Sequence, residues 1–470
     1  MLYQTIHFLS GFALRWFFRD SRVVGRERVP ASGPLIVASN HPNALVDVLV
    51  VGRAVPRRLR LTGKATLFAN PLLRWLLTSV GFVPLQRAKD VADSGQTVDA
   101  ARNLQAFRAV LEALAEGEAV LIFPEGVSND ASTLNPLKSG AARMALQARD
   151  DRGLRGVHVL PVGISYERKD AARSRVVLEI GEPIAMDAWR APAADGRAPN
   201  EADALTAELD ARLRAVTLNF ASADDRTRVL DLSRLIASLF DEPRPLAEPA
   251  APLPEMVGIA RRVAEAERVL AARTDVEPAL RARVAAFERR LLAYRERLEA
   301  HRLQPSDVAL DLGVGRATWF VVRELLVLLA LGPLALWGRA NHWLAFTLTR
   351  TLATRMSRTP EDPAMHTVAL GLGLVLAFYA AQTGLVWWLA GAWWALLYLV
   401  TLPLAANWDL AYTDRLRRAR GRMRTWMVLR RKASLRGELL AEVEWLREEA
   451  TAIERALHTD APDAAIQATL

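Results

Sequence analysis

His41 closes an apolar run, Leu35 to Ser39, and is followed by Pro42, which holds the residue before it in extended backbone. An imidazole at a strand end sits where the sites of open α/β sheets gather. Near neutral pH it is the natural general base. Asp47 lies inside the next apolar run. Its carboxylate can accept from the other ring nitrogen and fix the tautomer, as in a triad without its serine. Six residues of helix turn through about 600°. The two side chains therefore meet only if the chain leaves helical geometry near Pro42 and Asn43. The plain alternative is a capped helix start with a surface histidine, and the pair alone leaves both readings open.

Other blocks supply polar groups of the right kinds. Phe123-Pro124-Glu125-Gly126 ends a strand-like run in a turn. Gly126 can take positive φ or let the backbone approach a ligand. Glu125 can accept from hydroxyls, a simple β-turn being the alternative. Arg87 closes Gly81–Arg87 and suits a phosphate clamp. Lys138 stands near the start of a helical stretch, whose first amides attract anions. Lys64 is a further cation, better read as a solvated side chain than as a ligand.

The elements that must position these groups read as α/β from about Val29 to Met186. Short β-rich runs alternate with helical stretches such as Val98–Glu116 and Lys138–Ala148. A mixed sheet flanked by helices is expected. Residues 187–200 are a loop and 201–240 are helical. Glu242–Pro254 carries five prolines in thirteen residues, a stiff linker. In residues 255–302 the spacing of Val284, Phe287, Leu291, Tyr294 and Leu298 predicts a helical hairpin, with a short coiled coil as the alternative.

The chain has 470 residues, room for two or three domains. With no cysteine, it is without disulfides, thiolate catalysis and Cys-based zinc sites. The net charge of +9 fits an anionic membrane surface or nucleic acid. No nucleic-acid motif accompanies the charge, whereas long apolar runs do, so membrane lipids are the expected partner and nucleic acid is not. Residues 1–22 place Leu2, Ile6, Leu9, Ala13, Trp16 and Phe17 at helical spacing. They suit an amphipathic membrane-interface helix or, equally, a core-packing one.

Two regions are apolar enough for a bilayer. Ala317–Trp337 is interrupted by Arg323-Glu324 and Gly332-Pro333. His366–Asn407 is 42 residues without Asp, Glu, Lys or Arg, punctuated only by Gln382-Thr383-Gly384. It has length for two spans of about 20 residues joined by a turn. Arginines before and after this run place both ends on the cytoplasmic side. An even number of crossings follows, with Ala317–Trp337 re-entrant or one arm of a broken hairpin.

Taken in order, His41/Asp47, Gly81–Arg87, Phe123–Gly126 and Leu160-Pro161-Val162 resemble the signature blocks of the glycerolipid acyltransferase superfamily. The resemblance covers roughly residues 20 to 184. More narrowly, the blocks Asn40–Asp47, Phe123–Asp130 and Pro136–Leu146, with an apolar C-terminal region, resemble the glycerol-3-phosphate/dihydroxyacetone-phosphate acyltransferase branch. Five residues separate His41 from Asp47 where the superfamily commonly has four, a spacing found in that narrower branch.

The resemblance implies a glycerolphosphate acyltransferase fold and a membrane-bound O-acyltransferase of phospholipid biosynthesis. The donor would be acyl-CoA or acyl-carrier protein, and the acceptor glycerol 3-phosphate. Dihydroxyacetone phosphate or a lysophospholipid are alternative acceptors, and a catalytically silent membrane scaffold is a different class of reading. His41 would be the base and Asp47 its orienter. Arg87 on its phosphate, Glu125 on a hydroxyl, and Gly126 would hold the acceptor, with Lys138 also among the substrate-binding residues and Pro161 shaping the pocket from a neighbouring strand; no metal and no cofactor beyond the thioester are implied. The expected organisation is an interface helix (1–22), an acyltransferase domain (23–240), a linker (241–254) and a hairpin (255–302). A membrane-embedded region (316–410) and a basic cytoplasmic tail (411–470) complete it. The expected location is a bacterial inner or cell membrane, with the catalytic domain on its cytoplasmic side.

Overall fold

The computed structural model describes residues 2–64, 71–79, 81–85, 100–128, 133–169, 171–192, 200–220, 222–240, 253–272, 278–308, 310, 313–357 and 362–459. The chain divides into two compact units, residues 1–219 with 344–378 and residues 220–343 with 379–470.

In the first unit the described strands are β1 (Phe18–Val24), β2 (Leu35–Ser39), β3 (Leu59–Lys64), β4 (Val83–Leu85), β5 (Ala119–Ile122), β6 (His158–Tyr166), β7 (Ser174–Ile180) and β8 (Ile184–Ala185). They form one mixed sheet in the order β1-β7-β6-β2-β5-β3-β4, with β8 also on β6. β2 lies inside it, parallel to both β5 and β6. β6 is antiparallel to β7 and β8.

β2 reads Leu-Ile-Val-Ala-Ser without polar alternation because both of its faces are covered. The period of two sends Leu35 and Val37 into one core. There they meet α1 (Leu2–Phe17) and α2 (Ala44–Ala54). Ile36 and Ala38 face the other core. The next helix in the chain is α3 (Pro71–Ser79); the core under Ile36 and Ala38 is built by α4 (Ala100–Ala115), α5 (Gly140–Asp150) and α6 (Glu201–Val216).

The amino-terminal segment departs from expectation. Its helix stops at Phe17, and residues 18–24 form β1, paired parallel with β7. Ala13, Leu14 and Phe17 are buried against the sheet, and Trp16 meets Phe346 edge-on. The apolar stripe of α1 is thus core-facing over its last turns.

The second unit holds α7 (Ala223–Leu239), α8 (Leu253–Ala272) and α9 (Pro278–Ala300). The division at 219/220 puts α7 here, whereas the first domain was expected to run to residue 240. Most of the expected linker, residues 241–252, lies outside the described residues. The 255–302 segment does not pack chiefly on itself. α8 lies against α7, and α9 lies against α13 (Ala433–Thr459), the last described helix. Phe287, Leu291, Tyr294 and Leu298 fill the shared core. Arg283–Glu449, Arg290–Glu442 and Arg297–Glu438 pairs line its rim.

Among the described residues, three helices are long and apolar enough to cross a membrane: α10 (Val314–Met356), α11 (Asp362–Ala390) and α12 (Ala392–Arg431). α10 runs unbroken through Arg323-Glu324 and Gly332-Pro333, which corrects the expected interruptions. Arg415 donates to Glu324 at 2.6 and 3.0 Å, and Arg323 at 2.6 Å, so the carboxylate is carried inside a cluster of cations. The turn in the second apolar run falls at Gly391, φ +92°, not at Gln382-Thr383-Gly384. Gln382 stays in helix and donates its side-chain amide to the Asn341 carbonyl at 3.0 Å. α12 continues through residue 410 into the basic stretch, so no break separates the expected membrane region from the tail.

Candidate active site

β2 and β5 run parallel with Ala38 opposite Ile122, so their carboxyl ends emerge side by side. His41 follows one and Glu125 the other. The required turn is present. Asn43 has φ −145° and ψ 44°, and Ala44 takes φ +43°, a left-handed conformation that costs a non-glycine residue on the order of 1 kcal/mol. α2 then starts with Asp47 in its first turn.

The turn brings the two side chains together. His41 Nδ1 lies 2.9 Å from Asp47 Oδ2. A carboxylate only accepts, so Nδ1 carries the proton and Nε2 is left as the basic nitrogen. Asp47 is fully buried and His41 is 7% exposed. The imidazole stacks on Phe123 with centroids 3.8 Å apart and planes 12° from parallel. Asp47 Oδ2 also accepts from the Asn43 amide at 2.6 Å, and Oδ1 from the Tyr166 hydroxyl at 2.6 Å. Burial, then the Asp47 charge, push the Tyr166 phenol well above its usual range, so it stays a donor.

Glu125 braces the same turn. Its Oε1 accepts from the His41 amide at 2.9 Å and its Oε2 from the Asn135 amide at 3.1 Å. Ser128 Oγ accepts from the Ala44 amide at 3.1 Å. Asn40 makes two bonds to the Ile164 backbone, tying the turn to β6. A small pocket beside it is lined by Asn40, Pro42, Glu125, Thr133, Leu134, Thr217 and Leu218.

Gly126 has φ +73°, and a Cβ built there would stand 3.0 Å from Lys138 Nζ. Lys138 therefore lies across Gly126, and its amide donates to the Pro124 carbonyl at 2.9 Å. It precedes α5 rather than opening it. Gly126→Ala should lower stability by about 1–2 kcal/mol through the positive φ. It should also displace Lys138, raising KM for a phosphate-bearing acceptor; thermal melts and acceptor titrations check both.

Two of the sequence-derived residues stand apart. Arg87 lies outside the described residues. Pro161 pairs with Ala38, three residues before His41, and packs on Gly181. At about 3.3 Å per residue it sits roughly 10 Å below the His41 turn, and it does not line the pocket. Tyr166, Asn40, Asn43 and Ser128 were not singled out by the sequence. Tyr166 shares its face of β6 with Leu160, Val162 and Ile164, all in the core that α2 enters. That alternation was a usable signal.

A paired base at the carboxyl edge of parallel strands, with a cation over a glycine turn, can take a proton from a hydroxyl beside an anionic group. Residues 20–165 match the Acyltransferase family model, and this segment is an acyltransferase-family domain. The chain is 25% identical to an uncharacterised acyltransferase of Schizosaccharomyces pombe, over 39% of each chain. It is 44% identical over 85 residues to a glycerol-3-phosphate O-acyltransferase of Saccharomyces cerevisiae, covering 18% of this chain and 11% of that one. A chloroplastic 1-acyl-sn-glycerol-3-phosphate acyltransferase of Brassica napus is 26% identical, over 31% of this chain and 37% of its own. The chain thus spans well under half the length of each of these relatives.

Proposed function

We propose that the protein is a membrane-bound O-acyltransferase that moves an acyl group from a thioester to a hydroxyl of a glycerol phosphate, with glycerol 3-phosphate as the favoured acceptor. The observation that carries the reading is the buried His41–Asp47 bond, which leaves His41 Nε2 as the acceptor of a proton.

A thioester is already activated, so the acceptor oxygen can attack its carbonyl carbon directly. His41 Nε2 takes the hydroxyl proton as the C–O bond forms. The tetrahedral adduct then expels the thiolate, which receives that proton from the imidazolium. Asp47 offsets the positive charge while it lasts. Lys138, and Arg87 from its own block, would hold the acceptor phosphate. The acceptor would lie beside Glu125, which holds the His41 and Asn135 amides at the edge of the pocket. The donor is acyl-CoA or acyl-carrier protein, and the scheme calls for no metal and no further cofactor.

Similarity to both glycerol-3-phosphate and 1-acylglycerol-3-phosphate acyltransferases supports the class and keeps a lysophospholipid as the second acceptor. The three apolar helices support membrane attachment, and with α11 and α12 crossing as a pair and α10 not crossing, the arginines at both ends of that pair support a cytoplasmic catalytic unit. The deciding experiment offers membranes containing the protein an acyl-CoA with glycerol 3-phosphate, dihydroxyacetone phosphate or lysophosphatidate. The highest kcat/KM is expected with glycerol 3-phosphate. A clear preference for lysophosphatidate would move the protein to the alternative class. Arg87→Ala and Lys138→Ala should each raise KM for the phosphate acceptor by about tenfold while changing kcat less, as loss of uniform binding does.

A further inference from the structure

We propose that Tyr166 is a positioning residue for the catalytic pair: its hydroxyl aims the Asp47 carboxylate and thereby sets the proton affinity of His41. Asp47 has two oxygens with unequal company. Oδ2 takes both the Asn43 amide and His41 Nδ1, whereas Oδ1 has Tyr166 as its donor among the described residues. The Asn43 amide belongs to the same turn as His41 and moves with it. Tyr166 comes from β6, 119 positions away in sequence, and brings the rigidity of the sheet to the carboxylate.

The phenol is itself held. Its ring is buried, lies 5.7 Å from that of Phe18 with planes 22° apart, and sits opposite Val176 on β7. Among the described residues, the charged and titratable groups that approach the pair include Tyr166, Lys169, whose Nζ lies 3.3 Å from the Pro42 carbonyl, and Glu125 behind the His41 amide. From β1 and β7 the neighbours are Phe18 and Val176, which carry no charge. A phenylalanine at 166 would fill the same space, so packing alone does not call for the hydroxyl.

The sign of the effect follows from the bond. Removing a donor from a buried carboxylate leaves its ionised form less stabilised. The Asp47–His41 pair then holds its proton more tightly and gives up its basic form at higher pH.

The inference rests on the acyl-transfer reading for its kinetic readout alone, and a second readout is independent of it. The full chain and Tyr166→Phe are compared in membranes by acyl transfer across pH. In parallel, the pH dependence of His41 modification by diethylpyrocarbonate is followed by mass spectrometry of the His41 peptide. Tyr166→Phe should lower kcat about tenfold with KM for both substrates within about twofold. The acid limb of kcat/KM and the His41 modification curve should both move up by about one pH unit. The position of the kinetic limb does not depend on how much protein is folded, and the modification curve is taken on the protease-resistant folded fraction, so a depleted preparation still reports. Unmoved curves with wild-type kcat would overturn the role of Tyr166 while leaving acyl transfer intact. A shifted modification curve in a protein that turns over no acceptor would sink acyl transfer and leave the role of Tyr166 standing.

Discussion

His41→Ala is expected to reduce kcat/KM by about a thousandfold, the usual worth of a positioned general base. The loss should fall on kcat, because in the proposed reaction the imidazole takes the proton of the reacting hydroxyl and makes no bond to the acceptor phosphate. The variant should fold and stay in the membrane fraction. The stack on Phe123 is lost, but the backbone bonds of the turn do not pass through the ring. Turnover numbers across a range of acceptor concentrations check the split. Activity within a few fold of wild type would remove His41 from the chemistry.

Asp47→Asn is expected to cost a comparable factor, about a thousandfold in kcat, with little loss of stability. Two donors converge on Oδ2, so an amide would keep its oxygen there and turn its NH2 toward Tyr166. The hydroxyl can answer by accepting. Geometry survives, but the charge that offsets the imidazolium is gone. Asp47→Ala should behave differently. It strands the Asn43 amide and the Tyr166 hydroxyl in the interior, each at about 1–3 kcal/mol, and should lower the melting point as well as the rate. Paired melting and kinetic measurements on the two variants separate charge from structure.

The core of the site was legible because its requirements are local. Pro42 and the non-helical spacing demanded a turn between His41 and Asp47, and Asn43 and Ala44 make it. The sheet was legible from the apolar runs of β2 and β5, whose lack of polar alternation and short length fit strands covered on both faces. What was not legible needed long-range partners. Glu125 reads as a ligand for hydroxyls, and its bracing of the His41 and Asn135 amides shows only once the fold brings them to it. Gln382 reads as a helix breaker until Asn341 offers a carbonyl. The stripe on α1 reads equally as membrane-facing or core-facing, and only the sheet beneath it decides. Pro161 carried a role through resemblance alone, and the register sets it below the turn.

The most direct test of the central claim supplies the full chain in membranes with radiolabelled acyl-CoA, with and without glycerol 3-phosphate, and follows thiol release, labelled lipid and labelled protein together. Direct attack assisted by His41 predicts that thiol release requires the acceptor, matches the labelled lysophosphatidate mole for mole, and leaves no label on the protein. Acyl-protein formed without acceptor, or lipid formed at an undiminished rate by His41→Ala, would contradict it.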